Sequence, residues 1–268
     1  MILSELNVYP IKSLSGITLR EALVEDRGLE HDRRLMLVDE SKKFITQREV
    51  PQMAAIRTTI DDDALKVSFN GDELRIDAAP KEAVTANVKI WTSSVKALVY
   101  DDRTNDWFSD ALGVRCRLVL MPDSSKRKVN PFYAVRRFED TVSFADGYPF
   151  MLIGQASLDD LNSRLTSAVP MNRFRPNFVV EGSETFAEDR WKKIAIGETI
   201  FHVVKPCARC VMLTIDQSAG VSTGKEPIKT LSTYRNFGGK VHFGQNLIAE
   251  KAGGRVRVGE KVRVIETN

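Results

Sequence analysis

The first hundred residues alternate hydrophobic and polar side chains in short runs, and turn-forming residues separate these runs. A period of two is typical of β-strands that bury one face. The predicted strands of this region cover residues 2–8, 17–24, 34–39, 44–48, 55–60, 65–69, 74–76, 88–91 and 95–100. Between two of them, Asn70-Gly71 provides the two positive-φ positions that a type I′ hairpin requires. This part of the chain is therefore predicted to be rich in β-structure.

Two segments have helical rather than strand spacing. Residues 105–112 place their apolar side chains on one stripe, and Gly113 follows as a helix-ending residue. A second helix is predicted from Ser157, whose hydroxyl is placed to accept the amide hydrogen of Asp160. Leucines continue at helical spacing as far as Leu165, near which this helix should end.

The remainder of the chain again contains mostly strand-like runs, at residues 116–120, 178–180, 194–196, 200–204, 211–215, 256–258 and 262–265. Many short strands, few helices and no β-α-β alternation predict a mostly β (α+β) fold of the barrel-like kind. A polar, basic stretch at residues 122–128 lies between Pro122 and Pro131. The sequence therefore predicts two domains, residues 1–121 and residues 122–268.

Composition narrows the class of protein. The 268 residues carry 39 Lys and Arg against 36 Asp and Glu, a net charge of +3, and 43% are hydrophobic. These values exclude a disordered chain, and the charge excess is too small to favour duplex nucleic acid as a partner. No run approaches the roughly 18 apolar residues of a spanning helix, and Glu5 interrupts any signal peptide. We therefore expect a soluble, cytoplasmic protein with no membrane or nucleic-acid partner.

The tetrapeptide Cys207-Ala208-Arg209-Cys210 allows three interpretations. Half of a structural zinc site would need further ligands, and only Cys116 and three scattered histidines are available. A redox pair should open a helix, whereas residues 211–215 are predicted as a strand. The third interpretation is a pair of small packing residues, since free cysteine is among the most buried residue types. Arg209 favours a chemical role, because a neighbouring cation stabilises a thiolate that can bind a soft metal.

Basic residues recur where extended segments end, namely at Lys12, Arg33, Arg34, Arg48 and Arg175. Each alone is most simply a solvated charge. If several converge, each contributes about 4 kcal/mol toward a unit negative charge at about 4 Å in a medium of effective dielectric constant about 20. Convergence would therefore favour a phosphate-bearing ligand. Neither a Walker A nor a dinucleotide glycine motif is present, and no histidine has the local context of a hydrolase base.

Six short motifs occur in order along almost the whole chain: Tyr9-Pro10-Ile11-Lys12-Ser13, His31-Asp32-Arg33-Arg34, Phe44-Ile45-Thr46-Gln47-Arg48, Phe174-Arg175-Pro176-Asn177, Pro206-Cys207-Ala208-Arg209-Cys210 with Thr214-Ile215-Asp216, and Phe243-Gly244-Gln245-Asn246. Together they resemble the molybdenum-cofactor sulfurase C-terminal (MOSC) family, in the branch with an N-terminal β-barrel domain. That branch includes mitochondrial amidoxime-reducing components and bacterial proteins that detoxify N-hydroxylated bases.

The resemblance implies a molybdopterin cofactor between the two domains, with its molybdenum bound by the Cys210 thiolate. It implies these cofactor-binding residues: Lys12, Ser13, Arg33, Asp146, Gly147, Tyr148, Arg175, Asn177, Ala208, Arg209 and Asn246. Pyridoxal phosphate binding is a further expectation at the level of the family. The implied donor types suit the cofactor, since sulfur binds a soft metal and cations bind a phosphate.

The implied reaction is the two-electron reduction of N-hydroxylated bases or amidoximes, with oxygen removal at molybdenum. The alternatives are a carrier of the cofactor or of sulfur without turnover, and a β-barrel interaction protein whose cysteines are packing residues. Asp216 is a candidate proton relay, although an aspartate at a strand end is more often a turn residue.

The source of electrons is expected to be another protein of the flavin, iron-sulfur or haem type. The chain stops at Asn268 directly after its last predicted strand and has too few cysteines for a Cys₄ cluster. Met1 leads straight into the first predicted strand, so we expect no membrane anchor like that of the mitochondrial relatives.

Overall fold

The computed structural model describes residues 1–61, 64–82 and 84–268. Its strands, numbered in chain order, are β1 (Ile2–Val8), β2 (Ile17–Leu19), β3 (Glu21–Glu25), β4 (Gly28–Leu29), β5 (Leu35–Val38), β6 (Arg57–Asp61), β7 (Ala64–Phe69), β8 (Asp72–Ile76), β9 (Thr85–Ile90), β10 (Ser93–Val99), β11 (Arg117–Leu120), β12 (Phe150–Gly154), β13 (Phe178–Glu181), β14 (Trp191–Ile196), β15 (Thr199–Ala208), β16 (Ile215–Asp216), β17 (Val221–Ser222), β18 (Asn236–Phe237), β19 (Lys240–Ala249), β20 (Arg255–Arg257) and β21 (Val262–Thr267). The α-helices are α1 (Asp102–Leu112), α2 (Gln155–Ser163) and α3 (Ile228–Tyr234), and short 3-10 helices cover Pro51–Ala55, Met171–Arg173, Ala187–Arg190 and Val211–Thr214. The expected mostly β fold is confirmed.

A seven-stranded barrel runs in the order β1-β13-β12-β19-β15-β14-β21. A bridge between Ile2 and Lys261 joins its first and last strands. Backbone hydrogen bonds from Leu3 N to Glu260 O and from Val262 N to Met1 O, both 2.9 Å, reinforce this closure. The first strand of the chain is therefore a wall of the barrel that the second half builds.

Aromatic side chains fill the interior of this barrel. Phe150, Phe178 and Phe201 are almost fully buried, and their ring centroids lie 5.2–5.7 Å apart. Burying each such side chain contributes roughly 1.5–3 kcal/mol. Because alternate residues of a strand face opposite sides, the neighbouring Met151 and Val179 face outward from the barrel, where they are buried in a second hydrophobic cluster with Phe174 and Phe243.

The strands β12 and β13 pair in parallel, with α2 connecting them. The sequence predicted the helix and a strand at residues 178–180 but no strand at the five residues of β12, so it did not indicate this β-α-β unit. This parallel pairing brings the N-terminal ends of the two strands to the same end of the barrel, where the candidate site is found.

The N-terminal half contributes a four-stranded sheet, β5-β11-β10-β9, and a three-stranded sheet, β6-β7-β8. Leu37 of β5 packs into one hydrophobic core with Phe108 of α1, whereas the adjacent Met36 packs into a second core with Val88. The four-stranded sheet is thus covered by apolar side chains on both faces at β5. The predicted hairpin is confirmed, because Phe69 pairs with Asp72.

The predicted 105–112 helix exists but begins earlier, at Asp102. The carboxylate of Asp101 accepts the amide hydrogen of Thr104 at 2.8 Å and caps the helix N-terminus. Gly113 ends the helix in the left-handed conformation, with φ of 66°, as predicted.

The predicted cap at Ser157 is wrong. The helix α2 begins at Gln155 instead, and the Ser157 hydroxyl donates to the buried carboxylate of Glu188 at 2.8 Å while it accepts the amide hydrogen of Phe186 at 2.9 Å. A tertiary partner 31 residues away therefore captures the hydroxyl that local sequence assigned to a cap.

The strand predicted at residues 211–215 is also wrong. After Cys210 the chain turns into the 3-10 helix Val211–Thr214, and Leu213 N donates to Cys210 O at 3.2 Å. Leu213 packs into the same hydrophobic cluster as Phe174, so tertiary burial overrides the strand propensity of this run.

Two predicted strands of the first half are likewise corrected. Within residues 44–48 only Phe44 makes a bridge, to Val38, because the hydroxyl of Thr46 bonds to Glu49 and closes a turn. The strand predicted at residues 55–60 starts later, at Arg57, because Ala55 is the last residue of the 3-10 helix Pro51–Ala55. Proline at the start of that helix presets its backbone angle.

Residues 121–149 contain neither a helix nor a strand, only a bridge between Lys128 and Thr141. The boundary at residues 121 and 122 stays a prediction. Within the residues described, no α-helix has the length and apolarity needed to span a membrane.

Candidate active-site cleft

The candidate site lies at one end of the barrel, where separate parts of the chain meet. Because β1 runs antiparallel to β13, the residues that follow β1 lie beside those that precede β13. The parallel partner β12 brings its preceding residues to the same end. Asn246 of β19 lies opposite both Met151 of β12 and Lys205 of β15, and Ala208 and Cys210, which follow Lys205, also line the cleft.

The structure brings all twelve predicted site residues to the wall of one cleft, which encloses about 840 Å³ including its open mouth. They are Lys12, Ser13, Arg33, Asp146, Gly147, Tyr148, Arg175, Asn177, Ala208, Arg209, Cys210 and Asn246. Their role in binding stays a prediction. Arg34, a further basic residue of the sequence pattern, instead pairs with Asp123 at 2.6 Å outside the cleft lining.

The two cysteines of the tetrapeptide have different surroundings. Cys207 and Cys210 are both partly exposed and both line the cleft, but Cys207 also packs against the hydrophobic cluster that contains Phe174 and Phe243. Burial raises the pKa of the Cys207 thiol. Cys116 is buried in the core of the first half, so the three sulfurs do not form a shared site. Of the two cleft thiols, Cys210 is therefore the better candidate for chemistry, because Cys207 is engaged in apolar packing.

Arg48 belongs to the site, and the sequence analysis did not place it there. Its Nη2 atom lies 3.5 Å from Cys210 Sγ, and its guanidinium lies over the Trp91 ring at 4.9 Å. Trp91 also donates from Nε1 to Asp146 at 3.3 Å. The sequence signal was a cation at the end of an extended motif, which alone could not be distinguished from a solvated charge.

Lys12 and Asp146 form an ion pair at 2.6 Å at the cleft wall. Burial lowers the pKa of Lys12, opposed by Asp146. Partial removal from water acts to raise the pKa of Asp146, but Lys12, Arg48 and Arg33 together outweigh this effect and hold that pKa well below the ordinary range. The carboxylate is therefore ionised at neutral pH.

Arg127 holds the backbone of this wall. It donates to the carbonyl oxygens of Ser143, Ala145 and Asp146 at 2.5–2.9 Å. Burial lowers the pKa of Arg127 to about 10. The predicted domain seam thus contains a buried arginine that fixes the position of the Asp146 loop.

Arg33 and Arg175 lie together over the Tyr9 ring, at 4.3 and 4.2 Å from its centroid. Arg33 pairs with the buried carboxylate of Asp32 at 2.7 Å and also donates to Arg175 O at 3.2 Å. Burial lowers the pKa of Arg175 to about 10 and raises the pKa of Tyr9 to about 12. Tyr9 is a platform for the two guanidinium groups, a role that its sequence position did not reveal.

Three of the predicted site residues have left-handed backbone conformations. The φ angles of Ser13, Arg33 and Arg175 are 69°, 49° and 57°. Such conformations cost of order 1 kcal/mol each in residues other than glycine and concentrate at functional sites. The surrounding hydrogen bonds hold these backbones in place.

The amide and guanidinium groups on the far wall are held by the barrel. Asn177 donates to Asn7 O at 3.1 Å and accepts from Met151 N at 3.2 Å. Arg209 donates to Phe243 O at 2.8 Å and Asn246 donates to Lys205 O at 3.2 Å. These contacts fix side chains that also line the cleft.

Asp216 fits the turn interpretation better than the relay. Its carboxylate accepts from the hydroxyl and amide of Ser218 and from the amide of Ala219, and these bonds lower its pKa to about 2. It also pairs with Arg173 at 3.2 Å. Arg173 lines the cleft and is a second cation that the sequence analysis did not select.

Family models match both halves of the chain. Residues 1–115 match the MOSC N-terminal beta barrel domain and residues 139–263 match the MOSC domain. The chain belongs to the MOSC family. The MOSC model thus covers most of the barrel strands, while β1 lies in the segment matched by the N-terminal model.

Two relatives show how far this similarity extends. Mitochondrial amidoxime-reducing component 1 of Mus musculus is 32% identical over 278 residues, which cover 98% of this chain and 82% of that protein. Molybdenum cofactor sulfurase of Oryza sativa subsp. japonica is 34% identical over 262 residues, 90% of this chain but 32% of that protein. The MOSC chain therefore spans about a third of the sulfurase.

A solved structure, YiiM from Geobacillus stearothermophilus, is 16% identical, covers 44% of this chain and 55% of that chain, and has a TM-score of 0.33. Its likeness is too partial to support an argument. The names of these relatives do not include pyridoxal phosphate, and binding of that group stays a prediction.

The side chains that line the cleft have the donor groups that a phosphorylated, metal-bearing cofactor needs. Arg175 Nη2 is buried without a hydrogen-bond partner among the residues described, so one donor is free to meet an anion. Cys210 provides a soft ligand. In the same described ranges, no three His, Cys, Asp or Glu side chains cluster in a way that could hold a metal ion alone.

Proposed function

We propose that this chain is a molybdenum-cofactor-dependent reductase of N-hydroxylated compounds, including N-hydroxylated bases and amidoximes. The observation that supports it best is the partly exposed Cys210 thiol in a cleft lined by Lys12, Arg33, Arg48 and Arg175. The similarity to amidoxime-reducing components, which extends over about four fifths of their length, also favours this function.

Residues of different chemistry would bind different parts of the cofactor. Cys210 would bind the molybdenum, and Arg33 and Arg175 would bind the phosphate with Lys12. The amide groups of Asn177 and Asn246 would face the pterin heterocycle. When bound, the cofactor supplies the two-electron removal of oxygen from nitrogen.

The overall reaction consumes two electrons and two protons, converting R–NHOH into R–NH₂ and water. The electrons come from an external protein donor of the flavin, iron-sulfur or haem type. Asp146 is ionised at neutral pH because of Lys12, so it orients that lysine rather than donating a proton. The cations of the cleft offset negative charge on the bound ligand.

The test compares two cysteine variants of protein expressed with intact cofactor biosynthesis. With a chemical reductant, the wild type is expected to reduce a model amidoxime or hydroxylaminopurine. Cys210→Ala should abolish turnover, whereas Cys116→Ala, which changes a buried packing residue outside the cleft lining, should retain most of it.

Three results would contradict the proposal in different ways. Turnover retained in Cys210→Ala would remove the assigned role of this thiol. Bound molybdenum and pterin without substrate reduction would favour a carrier. A wild-type protein with neither molybdenum nor pterin would favour an interaction protein.

A further inference from the structure

Gln47 and Gln217 form a reciprocal amide pair behind the cleft. Gln217 Nε2 donates to Gln47 Oε1 at 3.0 Å, and Gln47 Nε2 donates to Gln217 Oε1 at 3.2 Å. Gln47 has no exposed surface. The two residues belong to different family-model segments, 1–115 and 139–263, so the pair joins the two halves.

The pair also contacts two predicted cofactor-binding residues directly. Gln47 Nε2 donates to Ser13 O at 2.6 Å. Gln217 Oε1 accepts from Arg175 Nη1 at 3.2 Å. Both Ser13 and Arg175 have left-handed backbones, which need such contacts to persist.

The orientation of each amide is fixed by its partners. Gln217 meets Arg175, which only donates, and the carbonyl oxygen of Ile215, which only accepts at 3.2 Å. Reversing this amide would break both bonds. Gln47 must then present its oxygen to Gln217 and its nitrogen to Ser13 O.

We propose that the Gln47–Gln217 pair is a positioning device for anion binding by Arg175. It anchors Nη1 and leaves the buried Nη2 without a partner among the described residues, as the donor available to a phosphate. The inference rests on the proposed function insofar as the natural ligand is the phosphate of that cofactor. An arginine that is already ordered loses less rotamer freedom when it binds an anion.

The test uses Gln47→Met, Gln217→Met and the double variant, because methionine keeps the length of the side chain but removes its polar atoms. Inorganic phosphate is titrated into each cofactor-free protein by calorimetry. Each single variant should bind phosphate roughly three- to ten-fold more weakly. The phosphate affinity of the double variant should be little lower than that of the single variant that binds more weakly, because each single substitution already removes the amide pair.

Asn105→Leu is the matched control for lost stability. Asn105 is a buried amide of the first half, bonded to Tyr100 O and Leu118 N at 2.9 Å and absent from the cleft lining. The Asn105→Leu substitution should lower the melting temperature of the protein without weakening phosphate binding. Arg175→Met should remove that binding.

The proposal is overturned if the wild type binds no phosphate, if Gln217→Met binds it as the wild type does, or if Asn105→Leu weakens it equally. Molybdenum content and turnover per molybdenum are measured in parallel on protein loaded during expression. Phosphate binding with the expected variant effects but without molybdenum would contradict the proposed function and leave the positioning role standing.

Discussion

Arg48 Nη2 lies 3.5 Å from Cys210 Sγ, although the two residues are 162 positions apart in the chain. The contact brings a cation of the N-terminal half to the thiol of the second half. Trp91 lies beneath the guanidinium at 4.9 Å and restricts its orientation. The surroundings of the Cys210 thiol therefore come from both halves of the chain.

Arg48→Ala is expected to lower kcat/KM for an N-hydroxylated substrate about 10- to 100-fold, because a charge-assisted contact contributes about 1.5–3 kcal/mol. The kcat/KM of Arg48→Lys should fall between the values of the wild type and Arg48→Ala, since lysine keeps the charge but not the planar stack on Trp91. Steady-state kinetics per molybdenum measures the effect. Arg103→Ala, an exposed arginine of α1, is the control. Unchanged kinetics in Arg48→Ala would contradict a role at the thiol.

Asp146→Asn is expected to destabilise the protein by about 1 kcal/mol at neutral pH, because Lys12 loses its partner and Asp146 is largely exposed. The pKa of folded Asp146 lies below its ordinary value of 3.8, so its contribution is present above 3.8 and is lost as pH falls through the folded pKa. Urea unfolding of both proteins at several pH values measures this. A difference that does not shrink in acid would rule out the ion pair as its source.

Phe178→Ala should cost about 3–5 kcal/mol of unfolding free energy, since it empties a fully buried site between Phe150 and Phe201. Phe132→Ala, at a side chain that is 84% exposed, should change it by less than about 0.5 kcal/mol. Chemical denaturation of the two variants gives the comparison. Similar losses would show that the aromatic cluster is not the core of the barrel.

Gly244→Ala should destabilise the fold more than Gly71→Ala. Both glycines have positive φ, 77° and 93°, but a Cβ at Gly244 would lie 2.6 Å from Ile153 Cγ1 and 2.8 Å from Leu152 O, whereas Gly71 has open space. Gly71→Ala should cost about 1 kcal/mol and Gly244→Ala about 2 kcal/mol or more. Thermal melts of both variants test this order.

Features that depend on local chemistry could be predicted from the sequence. The Asn70-Gly71 hairpin and the Gly113 helix end are set by backbone preferences of single residues, and both are found. The cleft residues were inferred from ordered motifs, and the structure brings them together. Arg48 was recognised as a cation, but only its tertiary contact with Cys210 distinguishes it from a surface charge.

Features that depend on partners distant in the chain could not be predicted in this way. Ser157 has the chemistry of a helix cap, yet a buried carboxylate at Glu188 takes its hydroxyl. Leu213 lies in a run with strand propensity, but its burial in a cluster bends the backbone after Cys210. In both cases a contact across many residues outweighs a local preference of about 1 kcal/mol.

The place of β1 in the barrel affects how the protein can be divided and how it forms. Ile2 meets Lys261, so the ring is incomplete until the last strand has left the ribosome, and such distant pairings make folding slow. A fragment restricted to residues 139–263 would lack the barrel strand β1. It would also lack Lys12 and Ser13, which line the cleft. Division of the chain between the two family segments would therefore separate β1 from the other six strands of this barrel.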